Sequence, residues 1–352
     1  MAGRTRDIYM VGSIPLTRPY DVFTSIATIM GENIKRVPDG EIGDRIMWVQ
    51  CQISYLTNCD ALEVCHLPEE GITRRTGYQI PVRLKDGAKE EDVKFTDIGY
   101  ARHAKTSFAI FKALKQSRKI PDHWRFQVCV PTPMDIMTLV DPDSRAAIEP
   151  AWEKALIREL REIQIAIPAD ELAISIDIVQ GLLLWEEPSN IYVKPYFDDA
   201  DGYRPAIVER ILNLANAIKE PVDLGFHCCY GSQDHKHAFD PKDAGAMVDM
   251  INHLNSELNR SMNYVHMPVP RDRDDDAYFA PLAGLQIDPK TELYLGLVHY
   301  TDGVEGAQKR IAAAEQHRKA FGVATECGFG RRPAHQDILR LLELHNSVVL
   351  ES

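Results

Sequence analysis

Apolar residues along this chain gather into short, often β-branched runs that stop at a polar residue. Longer stretches with apolar positions three and four apart follow most of them. The short runs read as buried strands of a parallel sheet, and the longer stretches as amphipathic helices packed on it. Eight candidate strands follow in order: 8–11, 34–37, 126–130, 172–176, 222–226, 264–265, 293–298 and 323–325. Helical spacing predicts helices over 20–31, 152–167, 204–219, 241–258 and 303–321. In 152–167 the apolar positions are Leu156, Leu160, Ile163 and Ile167. Strands alternating with helices define the α/β class, and eight of them predict a single (β/α)8 TIM barrel. The polar stretch 58–119 breaks the rhythm and reads as an insertion or lid after the second strand.

Composition narrows the functional classes. The chain has 352 residues, enough for one large barrel, with 45% apolar and 26% charged residues. A formal net charge of -12 disfavours nucleic acid and anionic membrane as partners, and a small-molecule substrate is expected instead. No apolar run approaches a membrane span, and the N-terminus has no signal-peptide core, so a cytoplasmic enzyme is expected. The oligomeric state is left open. Seven cysteines, an odd number, argue for free thiols or metal ligands over a disulfide framework.

In a barrel the chemistry sits where the strands end. His227-Cys228-Cys229 follows the fifth run and Cys327 the eighth. In an extended chain, period-two alternation puts His227 and Cys229 on the same side. With Cys327 they form a candidate zinc triad with an open fourth position. The same cysteines also fit as small buried core residues. His266 ends the sixth run as a candidate fourth ligand or substrate contact. His299 ends the seventh and is a candidate proton donor or acceptor. Asp177 and Glu41 are candidates for holding a cationic substrate group or for general-base work. Thr132, after the third run, is a candidate substrate contact. Arg271–Asp276 lacks the glycine and terminal glutamate of a calcium loop and reads as a solvated loop. His235, Lys236 and His237 read as loop residues near the mouth.

Several of these segments, taken in order, resemble the catalytic barrel of cobalamin-independent methionine synthase, within the uroporphyrinogen-decarboxylase-like and methionine-synthase-like superfamily. Val11-Gly12-Ser13-Ile14-Pro15 resembles its start, which implies substrate contacts at Gly12 and Ser13. Asp39-Gly40-Glu41 resembles the element whose Glu holds the methionine amino group, and Ile176-Asp177 the strand whose Asp contacts the amino acid. His227-x-Cys229-Tyr230 and Cys327-Gly328 resemble the zinc elements, and Val298-His299 the segment carrying a catalytic His. Where that family carries a Glu ligand on its sixth strand, this chain reads Val265-His266-Met267-Pro268. The resemblance implies Zn(2+) held by His227, Cys229 and Cys327, and methyl or alkyl transfer to a small thiol. His299 and Asp177 would be catalytic, with Gly12, Ser13, Glu41, Thr132 and His266 facing substrate. The superfamily's other branch offers an alternative, a decarboxylase or lyase acting on a small acid.

Overall fold

The computed structural model describes residues 6–65, 81–186, 196–197, 202–231, 237–331 and 337–350. His235 and Lys236 lie outside them, as does 66–80, the middle of the stretch read as an insertion.

Seven parallel strands form one curled sheet in the order β1 (Arg36–Pro38), β4 (Arg125–Pro131), β5 (Leu172–Ile178), β6 (Asp223–Cys228), β7 (Tyr264–Pro268), β8 (Glu292–Val298) and β9 (Gly322–Thr325). Two further strands, β2 (Leu62–Val64) and β3 (Val82–Leu84), pair antiparallel with each other apart from that sheet. The seven match seven of the predicted runs to within a few residues. The eighth, 8–11, forms no ladder. Ile8 instead makes single parallel bridges to Ile34 on one side and Val323 on the other, joining the two edges of the sheet. The reason lies in where its carbonyls go. Gln127 Nε2 donates to Met10 O at 3.0 Å, and Cys129 Sγ donates to Val11 O at 3.0 Å. Interior side chains thus take acceptors that a strand would offer to a neighbour.

The α-helices of the described residues are α1 (Pro19–Ile29), α2 (Ile53–Thr57), α3 (Tyr100–Gln116), α4 (Pro133–Ile136), α5 (Arg145–Ala166), α6 (Gln180–Glu186), α7 (Tyr203–Ala215), α8 (Gly245–Glu257), α9 (Asp276–Phe279), α10 (Gly303–Ala314) and α11 (Ile338–Leu350). None is long and apolar enough to cross a membrane. The stretch 58–119 is not one insertion. Its last part, α3, packs on α1, α5 and β4 as a member of the helical layer. Ala101, Ala104, Phe108, Phe111 and Leu114 form its buried face at helical spacing.

Strand residues alternate between two cores. Ile174, Ile176, Leu224, Phe226, Val265 and Met267 belong to the large apolar cluster shared with the helices. The opposite face builds a separate cluster of Tyr9, Val11, Ala173, Tyr264, Tyr294 and Ala324. Gly225 belongs to that alternation by necessity, because a Cβ there would lie 2.0 Å from the Tyr264 ring. Below it, buried Arg36 pairs with Asp223 at 2.7 Å and with Glu292 at 2.5 Å, tying β1, β6 and β8 together. Above it the same face presents polar residues, and there the candidate site begins.

Candidate active site at the strand ends

Register places Asp177 beside His227 and His227 beside His266 on three successive strands. Period two then puts Cys229 just beyond His227 on the same side. Cys229 N–H donates to Ile178 O at 3.1 Å, so the extended path continues past the end of β6. Cys228 points the other way into the apolar core, where burial pushes its thiol up to about 12. It is a packing residue.

Cys327 arrives from β9. A ligand atom from each of His227, Cys229 and Cys327 lies within 4.8 Å of the others, and the two sulfurs are 3.9 Å apart. The Cys229 thiol is held well above its ordinary range by the hydrogen bond to Cys327 and by burial. A cation is what such a pair needs in order to ionise. Among the described residues this is the only group of His, Cys, Asp and Glu side chains with metal-ligand spacing.

His266 is fully buried, and its ring belongs to His227 rather than to substrate. The two Nδ1 atoms lie 2.7 Å apart, and His266 Nε2 donates to Thr325 O at 3.0 Å. Burial and the neighbouring His227 ring hold His266 well below its usual range, so it is neutral. Direct ligation through Nδ1 would break the contact with His227.

Serine and threonine at the mouth also serve the chain itself. Ser13 Oγ accepts from Gly330 N–H at 3.1 Å, and Ser13 O accepts from Phe329 N–H at 2.7 Å. Both bonds fasten the turn after Cys327. Thr132 Oγ1 donates to Asp135 at 2.6 Å and caps α4. Thr325 Oγ1 donates to Cys327 O at 2.8 Å.

The carboxylate side is built from 39–48. Gly40 has φ +83, and a Cβ there would meet Ile14 O at 2.8 Å, so only glycine fits. Asp39 is fixed by Arg45 at 2.7 Å, by Ser107 at 2.6 Å and by Glu41 N–H at 2.9 Å. Glu41 itself is held at φ 46. Its carboxyl covers Gly12, where a Cβ would lie 3.3 Å from the carboxyl carbon. Asp177 shares this space. It is buried, its Oδ1 has no partner among the described residues, and burial and nearby Glu41 drive its pKa far up. The Trp48 side chain hydrogen-bonds to it from a backbone at φ 53, ψ -118. Two strained residues facing one orphan acceptor mark a binding position. A cavity of about 320 Å³ opens beside them, lined in part by Glu41, Trp48, Tyr100, His103 and Cys129.

His299 donates from Nε2 to Val269 O at 2.9 Å, and burial lowers its pKa. It therefore stands neutral with its Nδ1 lone pair available, a proton acceptor before it can be a donor. Sequence reasoning passed over two participants, Trp48 and Glu326, and placed His237 near the mouth without a role. Trp48 carried no signal. His237 pairs with Glu326, which outweighs burial and raises the His pKa. Glu326 precedes Cys327 and so was the one legible hint.

No protein-family model matches the chain, and no curated protein matches it. Solved structures do. One is titled a B12-independent methionine synthase from Shewanella sp. W3-18-1 in complex with selenomethionine; its match covers 99% of this chain and 97% of that one, with a TM-score of 0.58 and 14% identity. Another, a putative vitamin-B12 independent methionine synthase from Listeria monocytogenes, has a TM-score of 0.54 and 13% identity, covering 98% of this chain and 99% of that one. The fold of this chain is therefore that of cobalamin-independent methionine synthase-like proteins over nearly its whole length.

Proposed function

We propose that this chain is a zinc-dependent alkyltransferase, most simply a methyltransferase, whose acceptor is a small thiol. The observation that carries the proposal is the convergence of His227, Cys229 and Cys327 at the mouth of a methionine-synthase-like fold. Zinc held by these three would act as a Lewis acid that keeps an acceptor thiol ionised near neutral pH.

The chain's own groups account for the rest. Glu41 and the unpartnered Asp177 Oδ1 receive an ammonium or similar cation on the substrate, so the acceptor is expected to resemble an amino acid bearing a thiol. Its opposite end then lies toward the cysteines. In the reaction a sulfur–carbon bond forms as the bond from that carbon to the donor's leaving group breaks. The electron pair departs with the leaving group. The proton given up by the thiol passes to Nδ1 of neutral His299, and from there to the leaving group.

The test is elemental analysis of the purified chain, followed by a screen of methyl donors with thiol amino acids. About one zinc per chain and sulfur methylation that disappears in Cys229→Ala are expected. Full turnover by a zinc-free chain would end this reading.

A further inference from the structure

We propose that His266 is a positioning residue that fixes the tautomer of His227, so that His227 Nε2 keeps its lone pair toward the two thiols. The proposal rests on the reading of His227, Cys229 and Cys327 as a metal site. It goes further by giving the sixth-strand position a different task from ligation.

The argument runs inward from a backbone carbonyl. Thr325 O can only accept, so the 3.0 Å contact requires a proton on His266 Nε2. His266 is fully buried with both ring nitrogens against uncharged partners, where an imidazolium would have no counter-ion, so its Nδ1 then carries a lone pair. That lone pair faces His227 Nδ1 at 2.7 Å. His227 must therefore donate from Nδ1, which leaves Nε2 as the only ring atom able to bind a cation. Neither ring can turn over without breaking a bond, and both are buried. A hydrogen bond from the remote ring nitrogen orients a ligating histidine and raises its basicity. Here an imidazole and a carbonyl do what a carboxylate often does. Thr325 also donates its hydroxyl to Cys327 O, so one residue steadies His227 through His266 and the cysteine arm directly.

Two substitutions separate the role from simple packing. In His266→Asn the side-chain oxygen replaces Nδ1 and still accepts from His227. In His266→Gln the amide reaches toward Thr325 and the acceptor beside His227 is lost. Zinc affinity is read for the full chain by competition with a chromophoric chelator. His266→Asn is expected to bind like the unaltered protein, and His266→Gln about 10- to 100-fold more weakly. Alongside, histidine-selective 15N spectra of the metal-free chain should show His227 protonated on Nδ1 and His266 on Nε2. Equal losses in both variants, or none in either, overturn the proposal, and so does a His227 proton on Nε2. An unaltered chain that binds no zinc yet shows these tautomers overturns the zinc reading alone and leaves the relay standing. If His266→Gln does not fold, the spectrum of the unaltered chain decides.

Discussion

Cys229 Sγ and Cys327 Sγ meet at 3.9 Å although 98 residues separate them in the chain. One arrives at the end of β6 and the other beyond β9, so the contact exists only because the sheet curls. A buried thiol and a half-buried one that close cannot both ionise unless a cation joins them.

Alanine at either cysteine should therefore abolish zinc binding and thiol alkylation together. Chelator should lower the Tm of the unaltered chain and leave that of Cys229→Ala unchanged. With zinc at 100 times its Kd the difference is about 2.7 kcal/mol. Calorimetry with and without chelator checks this.

Glu41 lies over Gly12 so closely that a methyl group there would sit 3.3 Å from the carboxyl and make it give by a few tenths of an ångström. Gly12→Ala should push the carboxylate off its position at a cost of about 1–2 kcal/mol. On the proposed role of Glu41 as partner of the substrate's cation, the loss should appear as a rise of about tenfold in KM for the cationic acceptor, with kcat little changed. A fall confined to kcat would count against Glu41 as the cation's partner.

His345 on α11 is fully buried, and burial holds its pKa down to about 4, against an ordinary 6.5. Its neutral form is the one the folded state accepts. The stability tied to that form is complete above pH 6.5 and is lost as pH falls from 6.5 toward 4, where the unfolded chain binds the proton more readily. The fully developed effect is about 3 kcal/mol. Tm measured across this window should fall for the unaltered chain and stay flatter for His345→Leu. Since the ring packs on Phe329 at 5.7 Å, acid should loosen the turn after Cys327 as well.

Arg36 supplies a prediction away from the chemistry. It is buried against Asp223 and Glu292 at the foot of the sheet. Arg36→Met leaves buried Asp223 with only the longer contact to Arg125 at 3.5 Å and should cost about 3 kcal/mol, the low end for breaking a buried pair. Zinc stoichiometry of the folded fraction should not change. Urea unfolding and elemental analysis on the same preparation test both halves.

Much of this was readable in advance, and the reasons differ by element. Strands β5, β6 and β8 are buried on both faces, so they appear as near-continuous apolar runs ending in Asp177, in His227-Cys228 and at His299. The likeness of His227 and Cys229 follows from period two alone. Helix α3 was hidden because its buried face uses Ala101, Ala104 and Ser107 among lysines, so small residues masked its periodicity. The segment 8–11 has strand-like residues but gives carbonyls to Gln127 and Cys129, which only the folded chain can show. The pairing of His227 with His266 depends on the register of β6 against β7, and the sequence does not print it. Thr132 and Ser13 looked available to substrate; their hydroxyl oxygens hold α4 and the turn after Cys327.

The joint at Ile8 has a dynamic consequence. Elsewhere neighbouring strands share ladders, such as the six register pairs from Phe126 to Pro131 along β4 and β5, although β8 and β9 shift register between Leu295 and Val298. At Ile8 the two edges meet through isolated bridges, closed by Ile8 N–H to Asn33 O and Tyr9 N–H to Val323 O. The ring should breathe along this seam first, and the amides of Ile8 and Tyr9 should exchange with deuterium before those of β5 and β6. The seam runs up to Gly12 and Ser13, with Glu41 on one bank and the turn after Cys327 on the other. Parting there would separate the Glu41 side of the mouth from the Cys327 side without breaking a ladder, so the seam is where the proposed substrate would be expected to enter.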